Sequence, residues 1–122
     1  MLLTIALLSV LHTTPAADSL VGSWQIKGDV AGNPIVELCT FKQSGVALSG
    51  SCTNAEGKSY DLTGQLKDGK ITFQHGGNYQ GEVLTIEYAA TLTSASEMKG
   101  TINVKPYEAG GEFTAAPAPP KP

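Results

Sequence analysis

Residues 82–105 read EVLTIEYAATLTSASEMKGTINVK. In the first half, Leu84, Ile86, Tyr88, Ala90 and Leu92 fall on every second position. In the second half, Met98, Gly100, Ile102 and Val104 do the same. Successive side chains of a strand point to opposite faces, so this period of two predicts strands over Glu82–Thr93 and Glu97–Lys105, each with one apolar face. The intervening TSAS suits a tight reversal.

The same alternation recurs outward from this pair, with no helical stripe anywhere between residues 18 and 116. Six further strands follow from it: Leu20–Gly28 (Leu20, Gly22, Trp24 and Ile26 on one face), Pro34–Gln43, Val46–Thr53, Lys58–Leu66, Lys70–Gln74 (Ile71 and Phe73 inward) and Gly111–Ala116 around Phe113. Ser44–Gly45, Asn54–Gly57, Asp68–Gly69 and Gly76–Asn78 are good reversal sequences. A flat meander of eight strands would leave two bare edges and one naked apolar face. Closure into an all-β, eight-stranded antiparallel up-and-down barrel removes both problems. LSG (48–50), LTG (62–64) and MKG (98–100) each set an inward glycine two positions after an inward apolar residue. Glycine inside a strand is costly unless the strand bends or a neighbour approaches closely, so the echo points to a narrow, coiled interior.

In a meander the connections alternate between the two ends. The odd ones are DVAGNP (29–34), NAEG (54–57), HGGNYQG (75–81) and PYEAG (106–110), and they are longer than QSGV, KDG and TSAS. One end is therefore expected to be open and to carry recognition, with the other tied off.

The ends of the chain differ from the middle. Residues 2–11, LLTIALLSVL, are too short to span a bilayer but suit the core of an export signal. Cleavage is expected near Ala17–Asp18, giving a signal peptide over 1–17 and a domain over 18–116. The competing reading is a short buried helix. The mature chain then has no membrane span and is exported, periplasmic or extracellular. The last six residues, PAPPKP, read as a Pro-rich disordered tail over 117–122. A net charge of −3 with eight lysines and no arginine excludes a nucleic-acid binder that relies on bulk positive charge.

Pairing Phe41 with Gly50 across the Ser44–Gly45 turn sets Cys39 opposite Cys52, which in an exported chain reads as a disulfide. Two cysteines alone cannot complete a zinc site, and a redox pair is usually spaced C-x-x-C. Strand Pro34–Gln43 is less regular, with Ile35, Glu37, Cys39 and Phe41 on one face and Val36 and Leu38 on the other. Either a bulge shifts the register, or Glu37 looks into the barrel near its open end.

The chain beyond the signal has one histidine, His75, in a glycine-rich stretch. Its spacing suggests neither a Ser–His–Asp set nor a metal site, and no glycine loop leads into a helix. The expectation is a non-enzyme with no cofactor and no metal. Its interior holds Trp24, Phe41, Tyr60, Phe73, Tyr88 and Ile86, which either fill the barrel or line a cavity for one small ligand.

Gly22–Ser23–Trp24 resembles the G-x-W signature of lipocalins and the wider calycin group. The stretches 44–73, 88–104 and 110–115 are similar to small exported bacterial lipocalin-like domains. The resemblance implies an eight-stranded barrel whose Trp24 sits at the closed end. The chain departs from typical lipocalins in being short, lacking a C-terminal helix, and having no arginine to pack on Trp24. It echoes avidin-type barrels without their Trp-Lys segment, so biotin binding is not implied. Exported metalloprotease inhibitors also use a short G-x-W barrel with one disulfide, but their inhibitory N-terminal arm is not evident here.

Together these features lead to an expected site for a small hydrophobic or amphipathic molecule. Trp24 and Phe41 would form its floor, Tyr60, Phe73, Ile86 and Tyr88 its walls, and Glu37, His75 and Tyr79 its gate. The alternative is a filled barrel acting as a protein-interaction or protease-inhibitor module, with an exported partner held by Tyr79 and Tyr107.

Overall fold

The computed structural model describes residues 20–119. Eight strands follow one another: β1 (Gly22–Val30), β2 (Asn33–Ser44), β3 (Ala47–Asn54), β4 (Ser59–Lys67), β5 (Lys70–Tyr79), β6 (Glu82–Ser94), β7 (Glu97–Lys105) and β8 (Ala109–Pro117). Each pairs antiparallel with the next, and β1 pairs with β8 from Trp24↔Pro117 to Val30↔Gly111, closing the barrel. No helix of the described residues is long and apolar enough to cross a membrane. The expected signal segment, 1–17, lies outside the described residues.

The inward stripes form one core. Leu20, Trp24, Ile26, Phe41, Leu48, Leu62, Leu66, Ile71, Phe73, Tyr88, Met98, Ile102 and Phe113 are all buried. Burying each large apolar side chain contributes about 1.5–3 kcal/mol before conformational entropy is charged. The interior aromatics interlock: Phe73 stacks on Tyr88 with centroids 4.3 Å apart, and Phe41 and Phe113 meet them edge-on at 5.1 and 5.3 Å. Such pairs contribute about 0.5–1.5 kcal/mol beyond their area.

The three echoed glycines sit where strands press together. A Cβ on Gly50, Gly64 or Gly100 would lie 1.9, 2.1 or 2.0 Å from the carbonyl oxygen of Thr40, Thr72 or Ala89 on the adjacent strand. Gly111 makes the same approach to Asp29, at 1.8 Å, across the β1–β8 seam. These contacts let the sheet coil tightly enough to close. Cys39 pairs directly with Cys52, with Cα atoms 4.0 Å apart, and the disulfide is formed.

Four expectations need correction. First, β5 runs to Tyr79, not Gln74, because the alternation Ile71, Phe73, His75 continues through Gly76 and Gly77 along β6 to Tyr79↔Glu82. Second, the connections at 29–34 and 75–81 shrink to reversals at Ala31–Gly32 and Gln80–Gly81, where both residues adopt the left-handed conformation that two-residue hairpin turns require. Only the β3–β4 and β7–β8 connections remain longer, and they share that end. Third, β2 has no bulge: its register with β1 and β3 is unbroken, and Glu37 points inward and is buried. Among the described residues the one register shift lies between Leu92 and Ser94 on β6. Fourth, the C-terminal segment stays in the sheet longer than expected, since Pro117 ends β8 and the Ala118 amide donates to the Ser23 carbonyl at 2.8 Å.

Candidate functional site

The barrel wall is not uniform. The β4–β5 ladder stops at Leu62↔His75, whereas β3–β4 pairing continues to Thr53↔Ser59 and β5–β6 pairing to Tyr79↔Glu82. At the end bearing the Ala31–Gly32 and Gln80–Gly81 turns, β4 and β5 therefore part. A cavity of about 240 Å³ opens there, lined by Ile35 and Glu37 of β2, Asn54–Glu56 after β3, Tyr60 of β4, His75–Asn78 of β5, and Leu84 and Ile86 of β6.

At its floor lies a buried polar deck. Glu37 and His75 are each 5% exposed. The His75 Nε2 lies 2.8 Å from Glu37 Oε2 and 3.0 Å from the Tyr88 hydroxyl, and its Nδ1 lies 2.6 Å from the Gly76 carbonyl oxygen. The Tyr88 hydroxyl donates to Glu37 Oε1. A carbonyl oxygen only accepts, so Nδ1 carries a proton, and Nε2 lies at ion-pair distance from Glu37. The arrangement fits an imidazolium paired with the Glu37 carboxylate. Burial works against that charge, but the hydrogen bond and charge of Glu37, with the Gly76 carbonyl, outweigh it and hold His75 above its ordinary value of 6.5. Burial first, then Glu37, pushes the Tyr88 phenol far up, so its proton is fixed. Every buried side-chain polar atom among the described residues has a partner.

The Tyr60 ring lies over His75, with centroids 6.0 Å apart and planes 22° from parallel, on the β4 side of the parted wall. Glu37, Cys52 and His75 also converge, with ligand atoms within 4.8 Å of one another. The Cys52 sulfur is committed to the disulfide, so one carboxylate and one imidazole remain, short of the usual three protein ligands of a catalytic zinc.

Of the residues expected to form the site, Glu37, Tyr60, His75 and Ile86 come together at the cavity. Trp24, Phe41 and Phe73 do not: they are 3%, 1% and 3% exposed and fill the lower barrel. Tyr88 packs among them and reaches the cavity floor only through its hydroxyl. The floor is thus the Glu37–His75 pair, not Trp24 and Phe41, which belong to the buried core. Trp24 lies toward the tied-off end, as expected. Tyr79 does not line the cavity; it is 56% exposed at the tip of the β5–β6 hairpin. Tyr60 lines the cavity instead. Leu84 and Ile35 were legible as inward-facing but not as cavity residues. A larger groove, about 540 Å³, crosses the outer wall along Thr63, Gln65, Gln74, Glu87 and Thr101. It is a furrow of the coiled sheet lined mostly by outward-facing residues, without a buried ion pair, so the interior cavity is the stronger candidate.

No protein-family model matches the chain, and no curated protein matches it. Solved structures do match in fold. A redesigned β-barrel aligns with a TM-score of 0.69 at 16% identity, covering 85% of this chain and 96% of its own. The redesigned barrel mFAP1, bound to DFHBI, aligns at 0.63 and 16% identity, covering 84% and 99%. A de novo fluorescence-activating β-barrel aligns at 0.58 and 9% identity, covering 84% and 97%. At such identities the likeness establishes the closed eight-stranded architecture.

Proposed function

We propose that this chain is an exported, lipocalin-like, non-catalytic binding protein that takes one small amphipathic molecule at the open end of its barrel. The observation that carries this reading is the cavity beside the parted β4–β5 wall, which sets the apolar side chains of Ile35, Leu84 and Ile86 beside the buried Glu37–His75 pair. Binding pockets typically combine an apolar lining with a few placed polar groups. At about 240 Å³ the cavity falls just below the roughly 300–1,000 Å³ of drug-sized pockets, so the ligand is small. The binding of DFHBI by redesigned barrels of the same architecture supports a small-molecule role for such a scaffold. The Cys39–Cys52 disulfide supports an oxidising compartment, periplasmic or extracellular. The G-x-W tripeptide at 22–24 and the closed up-and-down barrel support the lipocalin-like assignment.

Nuclear magnetic resonance titration with a library of small amphipathic fragments tests the reading. Saturable shifts should cluster at Ile35, Glu37, Tyr60, His75, Leu84 and Ile86 and spare Trp24. Shifts confined to the outer wall, or none that saturate, would refute it. One observation favours a second reading, a protein-interaction module. Tyr79, Val83 and Tyr107 are 56%, 77% and 55% exposed. Hydrogen bonding toward Glu82 of the β5–β6 hairpin raises the Tyr107 phenol above its ordinary value. Loss of partner capture on Tyr79→Ala with fragment binding intact would favour it.

A further inference from the structure

The hydrogen-bonding capacity of the deck is lopsided. His75 has two N–H groups, and both are spent, one on Gly76 and one on Glu37. The Tyr88 O–H is spent on Glu37. The Glu37 carboxylate accepts these two bonds and, with about four lone-pair sites, retains acceptor capacity. Any further hydrogen bond to these three side chains at Glu37 must therefore be donated by the ligand. The charge balance points the same way. The cavity is lined by Glu37 and, at its rim, Glu56; its one cation is His75, and no lysine lines it. The Tyr60 face adds a surface that attracts cations.

We propose that the ligand is a small amphipathic amine whose ammonium docks on the Glu37 carboxylate in place of the proton that His75 holds there. The inference rests on the open-end cavity being the binding site. The apolar body of the amine lies against Ile35, Leu84, Ile86 and the Tyr60 ring. Two cations on one buried carboxylate repel, so the arriving ammonium drives the His75 Nε2 proton out to solvent. Neutral His75 keeps its Nδ1–H on Gly76 and offers Nε2 as an acceptor. The titratable groups facing His75 are Glu37 from β2, Tyr60 from β4 and Tyr88 from β6; Glu56 stands at the rim, and Cys52 of β3 is held in the disulfide.

Calorimetric titration of the intact protein with 2-phenylethylamine, 2-phenylethanol and 3-phenylpropionate tests this at neutral pH. The three probes share a body and differ in head group. The amine is expected to bind at least about tenfold tighter than the alcohol, and the carboxylate weakest. Comparison of phosphate and Tris buffers should show a proton released on amine binding only. In Glu37→Gln the amine advantage should vanish while the alcohol still binds; the wild-type series decides the question if that variant does not fold. An alcohol or carboxylate that binds as tightly as the amine overturns the amine assignment and leaves the binding site standing. An amine preference without proton release overturns docking on Glu37. Absence of binding by all three overturns both the assignment and the site.

Discussion

Replacing Glu37 by glutamine removes a charge from the deck while keeping its shape, and the consequence depends on pH. In the wild type the imidazolium sits 2.8 Å from the carboxylate, and both groups are buried. Breaking a buried pair by removing one partner costs about 3–5 kcal/mol, because the other charge is stranded. His75 has an escape: it can release its proton, after which the loss falls to that of the missing hydrogen bonds, about 1–3 kcal/mol. The sign follows from the pair itself. His75 is raised above 6.5 in the folded protein, so its contribution is complete below that value and is lost as pH climbs through the folded value. The gap between wild type and Glu37→Gln should therefore be widest near about pH 5.5 and narrow toward about pH 9. Taking midpoints of about 4 and 2 kcal/mol, and about 6 °C of melting temperature per kcal/mol for a domain of this size, the expected drops are about 24 and 12 °C. Thermal unfolding followed by circular dichroism, with the disulfide intact, measures both. A gap that is constant with pH, or that grows in alkali, would show that the deck is neutral and refute the ion pair.

Gly100→Ala places a Cβ 2.0 Å from the Ala89 carbonyl oxygen and should cost about 3 kcal/mol or more in urea unfolding; Gly110→Ala, whose nearest neighbour would be 4.0 Å away, should stay within about 1 kcal/mol. The double variant Cys39→Ala/Cys52→Ala opens a loop of sequence separation 13 and should lose about 3 kcal/mol on the chain-entropy model, while the wild-type protein should take up no alkylating agent without reductant. Tyr79→Ala should change stability by less than about 0.5 kcal/mol and leave fragment affinity unchanged, because the side chain is exposed and outside the cavity. The triple variant Glu37→Leu/His75→Leu/Tyr88→Phe should match or exceed the wild type in melting temperature and lose amine binding.

The barrel was legible because period-two patterning survives in every strand and a one-residue slip would turn each apolar stripe to water. The echoed glycines were legible as curvature because each costs too much to be incidental. The upper deck was legible only in pieces. Glu37 fell on the inward face by alternation, but nothing local could reveal its partner, since His75 lies on a strand read as ending at Gln74. In the sequence Gly76 and Gly77 read as loop punctuation. In the barrel they stay in the ladder opposite Thr85 and Leu84, and a Cβ on Gly77 would come within 3.0 Å of Ile86. Carrying the alternation Ile71, Phe73, His75 one step further would have put His75 inside. The cavity volume had no sequence signature, because whether Phe41, Phe73 and Phe113 fill the barrel depends on their mutual angles, not on their spacing.

The deck is hard to explain as a source of stability. Below it the interior is apolar, and the aromatic stack of Phe73 and Tyr88 would be complete with a phenylalanine at position 88. Desolvating a carboxylate and an imidazolium costs several kcal/mol per ion, which their attraction only roughly offsets, and apolar replacements of such pairs are often neutral or stabilising. If the triple apolar variant is at least as stable as the wild type, then folding alone gives the chain no reason to hold three mutually bonded polar groups at this one level. They lie where β4 and β5 part and where the barrel is not filled. A buried charge pair beside a cavity, with acceptor capacity to spare, is what a binding site needs to fix the orientation of a polar head. A triple variant that instead unfolds several degrees below the wild type would mean that the deck is structural, and the cavity above it a packing defect.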